Sequence, residues 1–80
     1  MPEGAYNIRS NGKLESRNTT ANIDIVTKKD KPGIDIIIKP HTKNESVHIP
    51  VILSQSGLND MVYNDFYIGE GADVVIVAGC

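Results

Sequence analysis

The stretch "NDFYIGEGADVVIVAG", residues 64–79, holds two apolar runs separated by a glycine-rich corner. A two-residue hairpin turn is tighter than "GEGAD". Strand, wide corner and strand is how one coil of a parallel β-helix is built. Such a coil cannot bury its inner face without a neighbour stacked on it. The final "VVIVAGC" (residues 74–80) reads as the inner strand of a coil whose successor is missing. "DVVIVAG" is continuously apolar, as in a strand buried on both faces. Gly69 and Gly71 are free to take positive φ in the corner.

Upstream, the pattern has period two and almost no helical period. "ANIDIVT" puts Ile23 and Ile25 on one face, and "GIDIIIKP" puts Ile34, Ile36 and Ile38 on one face. "SVHIPVILS" aligns Val47, Ile49, Val51 and Leu53 against His48, Pro50 and Ile52. "MVYNDFYIG" is looser, with Val62, Phe66 and Ile68 sharing a face with Asn64. These runs are rich in β-branched residues, which suit a pleated surface. Asn11-Gly12 marks a hairpin, while "KDKPG", "PHTKNE" and "SQSGLND" break the chain between strands. Pro50 lacks a ladder donor and is expected on an edge or at a bulge. The expectation is all-β: five or six strands and at most one turn of helix. Residues 1–20 form a polar N-terminal arm or hairpin, and residues 21–80 the strand-rich remainder. The chain is then an N-terminal hairpin or meander leading into the first coils of a right-handed parallel β-helix, a fragment of a longer core.

Eighty residues make at most one domain. A chain of this size buries only about 60% of its unfolded surface, so it needs something to cover its apolar faces. One cysteine allows no internal disulfide, which fits a reducing compartment such as the cytoplasm. With 8 basic and 10 acidic residues there is no basic stripe for nucleic acid. No apolar run approaches the roughly 20 residues of a membrane span, and residues 1–30 lack a secretory h-region. Lys28, Lys29 and Lys31, interrupted by Asp30, read as a solvated loop.

Few residues could carry chemistry, and no catalytic residue is assigned. Cys80 is a weak candidate metal or cluster ligand because a thiolate suits iron; the competing reading is a small apolar residue ending an inner strand. His41 and His48 show no metal spacing with each other or with Cys80, and read as surface or hydrogen-bonded histidines. Asp60, Asp65, Glu70 and Asp73 could act as paired carboxylates or hold a hard cation, but turn and corner duty explains them. "SQSG" sets Ser54 and Ser56 before Gly57 without the Gly-x-Ser-x-Gly elbow of a nucleophile. "GEGAD" lacks the Lys-Ser/Thr of a phosphate loop. Asn59 and Asn64 could stack in amide ladders along adjacent coils.

Residues 45–80, "ESVHIPVILSQSGLNDMVYNDFYIGEGADVVIVAGC", resemble the SufB/SufD family of iron–sulfur cluster assembly proteins, above all its shorter bacterial and archaeal members. "PEGAYNIRSNG" and "KPGIDIIIKPHTKNE" are similar to the lead-in of the same proteins. The resemblance implies a longer chain with a right-handed parallel β-helix core. It implies a non-catalytic scaffold working with a SufC-type ABC ATPase and a second SufB/SufD-like subunit. It implies an iron–sulfur cluster on the full assembly, with no cofactor expected on this piece. The family's cluster and persulfide residues match no position here, so no site residue carries over. Exposed edge strands further suggest homo-oligomers. The alternative is a small self-closed β-sandwich or barrel that binds a partner without catalysis. A third reading, a small enzyme, finds no supporting constellation.

Overall fold

The computed structural model describes residues 4–10, 13–52 and 62–79, with only the backbone at 51 and 52. The described residues form strands and connections, with no helix among them. The strands are β1 (Ala5–Ser10), β2 (Lys13–Asn18), β3 (Ile23–Thr27), β4 (Gly33–Ile38), β5 (Lys43–Ile52), β6 (Tyr63–Ile68) and β7 (Asp73–Gly79). Seven strands exceed the five or six expected, because the polar arm pairs with itself: β1 and β2 lie antiparallel. Two mixed sheets result, with orders β2-β1-β5-β7 and β3-β4-β6.

The arrangement follows from one unit laid on another. β4, a corner and β5 make the first; β6, a corner and β7 make the second. β4 and β6 run parallel, from Gly33 opposite Tyr63 to Ile38 opposite Ile68, a constant step of 30 positions. β5 and β7 also run parallel, with Lys43 opposite Asp73. That ladder shifts by one between Lys43 and Glu45, and Asn44 absorbs the extra residue at φ 59°. Asparagine tolerates this left-handed geometry better than most residues. The corners are stitched as well: His41 N donates to Glu70 O at 2.8 Å, Gly69 N to Ile38 O at 2.8 Å and Asp73 N to Thr42 O at 2.7 Å.

Only one of the two corner glycines is needed for its φ. Gly71 sits at φ 71°. Gly69 does not take positive φ; it is required by close approach. A Cβ there would lie 2.3 Å from Pro40 N and 2.6 Å from Lys39 C, both backbone atoms of the corner beneath. A side chain at that position would push the two corners apart.

The core lies between the sheets. Ala5, Ile23, Ile25, Ile34, Ile36, Ile38, Val47 and Ile49 are buried, with Phe66, Ala72, Val74 and Ile76 packed against them half-covered. The inward sets read from alternation in the first three runs are therefore the buried ones wherever side chains are described, whereas in the looser set Val62 and Ile68 are exposed and Phe66 is half-buried. Val51 and Ile52 lack described side chains, and Leu53 lies outside the described residues. Pro50 is not on an edge. β5 runs between β1 and β7, and Pro50 sits where the β1 ladder skips from His48 to Val51. The missing N–H is thus absorbed by a gap inside the sheet. β7 is not buried on both faces either: its outward Val75 and Val77 are 63% and 52% exposed.

Candidate functional site

The two ends of the stack differ. At one end β1 and β2 cover β5, and β3 covers β4. Polar bonds close this end. Thr20 Oγ1 and Asn22 Nδ2 each donate to the Glu45 carboxylate at 2.7 Å, which holds Glu45 below the ordinary carboxylate range, Asn22 contributing most. Arg17 Nε donates to Asn7 Oδ1 at 2.8 Å, and its Nη2 to Thr27 Oγ1 at 2.9 Å. Arg17 thereby ties the edge of one sheet to the edge of the other.

At the opposite end β6 and β7 are each the last strand of a sheet. β7 pairs with β5 alone and β6 with β4 alone among the described residues. The inward columns continue onto this rung while losing their cover. Ile38 is 1% exposed, and its partner Ile68 is 55% exposed. Ile36 and Val47 are fully buried, whereas their partners Phe66 and Ile76 are half-buried. Two rows of backbone donors and acceptors, flanked by half-covered inward side chains, make this the candidate interaction site. An open row of this kind templates pairing with another strand.

Across the outer face of the β4–β6 pair, Asp35 lies opposite Asp65. Lys28 Nζ sits 2.5 Å from a carboxylate oxygen of each, with its side chain 7% exposed. Lys28 is thus a buried counter-ion between two stacked units, not the solvated loop residue expected from sequence. Asp65 likewise stands in mid-strand and not at a turn. Asp35 and then Asp65 hold the Lys28 ammonium well above its ordinary range. Lys28 in turn holds the Asp65 carboxyl below its ordinary value of 3.8. The sequence signal lay in the step of 30 positions that aligns Asp35 with Asp65 and Ile38 with Ile68.

The Lys28→Met variant leaves two carboxylates facing each other across neighbouring strands. Its thermal midpoint should fall clearly below wild type at pH 7, and the gap should narrow below about pH 4 as the carboxyls protonate. The signs follow from the two shifts. Asp65, held low, stabilises the fold above its unfolded pKa near 3.8 and loses that contribution as pH falls. Lys28, held high, stabilises below its unfolded pKa near 10.5 and loses that contribution only as pH rises beyond it. Melts across pH check this; equal midpoints at pH 7 for the two proteins would show the bridge to be idle.

The other candidates are scattered. His41 is exposed at φ 62°, and its ring lies against Gly71, where a Cβ would come within 2.6 Å of Nδ1. His48 faces outward on β5, opposite Tyr6 and Val77. Glu70 contributes its carbonyl and Asp73 its N–H to the stacked corners. Asn64 lies opposite Ile34, so no amide ladder joins β6 to β4. Ser54, Ser56, Gly57, Asn59, Asp60 and Cys80, as well as Asn11-Gly12, lie outside the described residues. Among the described residues no group of three His, Cys, Asp or Glu converges on a point, and no helix is long and apolar enough to cross a membrane. Compared with known proteins, the chain matches no family model, no curated protein and no solved structure.

Proposed function

We propose that this chain is a scaffold piece of an iron–sulfur cluster assembly system of the SufB/SufD kind, and that its strands are the first coils of a right-handed parallel β-helix. The observation that carries the architecture is the rung of β6 and β7, whose inward residues line up with a buried layer and which no further strand covers among the described residues. The step of 30 positions and the stitched corners support repetition of the same unit. The family assignment rests on the resemblance of residues 45–80 and of the two upstream stretches; the comparisons with known proteins lend it no support.

On this reading the chain acts by contact and not by catalysis. Further coils continue the ladder, a second SufB/SufD-like subunit joins it, and a SufC-type ABC ATPase supplies the ATP-driven motion. Iron–sulfur clusters are the cargo of the whole assembly, in the cytoplasm. Deleting the gene should lower the activity of the cell's iron–sulfur enzymes while leaving the amounts of their polypeptides unchanged. Unchanged activity under iron limitation would sink the cluster-assembly role. The β-helix architecture would then still stand or fall on the strand pairing of the edge.

A further inference from the structure

The capped end contains a further feature. A cavity of about 190 Å³ lies by the turn between β3 and β4, lined by Asn7, Arg9, Arg17, Lys28, Lys31 and Ile34 among others, with no acidic side chain among the described residues of its wall. Asn7 is fully buried. Its Oδ1 accepts from Arg17, and its Nδ2 meets no acceptor of the protein. Arg17 bonds to the neutral oxygens of Asn7 and Thr27, and among the described residues its guanidinium has no carboxylate partner. Lys28 is held by Asp35 and Asp65, and Lys31 Nζ lies 4.8 Å from the centroid of the Tyr63 ring.

Buried donors and partly buried charges are ordinarily paired, because desolvation without a partner is costly. Here an unpartnered amide and a half-buried guanidinium, which has no carboxylate partner among the described residues, share one cavity wall. Water could satisfy the amide but would leave the charge uncompensated. A guanidinium fork offers donors in the geometry that oxyanions accept.

We propose that this cavity binds a small oxyanion of the phosphate type, free or as the terminal group of a phosphate monoester. Arg17 and Asn7 supply the directional donors, and Lys31 supplies field at the mouth. The inference is independent of the cluster-assembly role.

The test is calorimetric titration of the 80-residue chain with inorganic phosphate at low ionic strength, with glycerol phosphate and acetate as parallel arms. Saturable binding at one site per chain is expected. Asn7→Asp keeps the side-chain shape and gives Arg17 a carboxylate of its own, so it should weaken binding at least tenfold. Lys31→Gln, at an exposed position, should weaken it several-fold. Circular dichroism establishes that each variant is folded; if Asn7→Asp does not fold, Lys31→Gln and the salt dependence decide. Binding of either phosphate arm supports the assignment, and the preferred arm identifies the source. No saturable binding, acetate binding as tight as phosphate, or binding unchanged in the folded variants would overturn it.

Discussion

Replacing Ile36 with alanine should lower unfolding free energy by about 2–5 kcal/mol. Ile36 is fully buried in β4, between β3 and β6, so the lost methyl groups leave a cavity walled by two other strands. A domain of this length has about 4–12 kcal/mol to lose, at roughly 0.05–0.15 kcal/mol per residue. The variant should therefore be marginal or unfolded at 37 °C. Ile37 is the internal control: it is the next residue, points outward and is 41% exposed. Ile37→Ala should stay within about 0.5 kcal/mol of wild type, as surface changes do. Urea unfolding gives both numbers, and equal costs at the two positions would mean that the inward and outward faces have been assigned wrongly.

The second large effect concerns the open rung. Wild-type chain should self-associate as concentration rises, because β6 and β7 present backbone that no other described strand pairs, beside half-covered apolar side chains. Val75 and Val77 point outward on β7 and are well exposed. Replacing both with lysine leaves the core untouched and places like charges where two edges meet. Association should weaken by at least tenfold, which corresponds to about 1.4 kcal/mol. Sedimentation equilibrium of both proteins measures it. A wild-type chain that stays monomeric at high concentration would show the edge to be self-protected and would favour the self-closed module.

Much of the fold was legible because its signal is local. Alternation in "ANIDIVT" and "GIDIIIKP" identified Ile23, Ile25, Ile34, Ile36 and Ile38, and all five are buried. The wide corner "GEGAD" distinguished a stacked turn from a hairpin, and its backbone does bond to the corner beneath. Errors arose where a neighbour in space overrides a local rule. Pro50 argued for an edge or a bulge; it lies inside the sheet, where a ladder gap beside β1 accommodates it. Gly69 looked free to take positive φ, whereas what requires glycine there is the backbone of Pro40 against it. Lys28 looked like one of three loop lysines until Asp35 and Asp65 were brought to either side of it. The Arg17–Asn7–Thr27 link has no motif at all; it exists because two sheet edges meet at the cap.

Sequence by itself determined the strand content, which side chains face inward, and where the chain must turn, since each depends on residues within a few positions of one another. Tertiary structure alone decided which strands are neighbours, which edge is covered and which is open, and how charges thirty positions apart come to share a counter-ion. The physical reason is that alternation says that a face is buried without saying against what. Pairing partners are chosen by backbone hydrogen bonds and packing, and those are common to every strand.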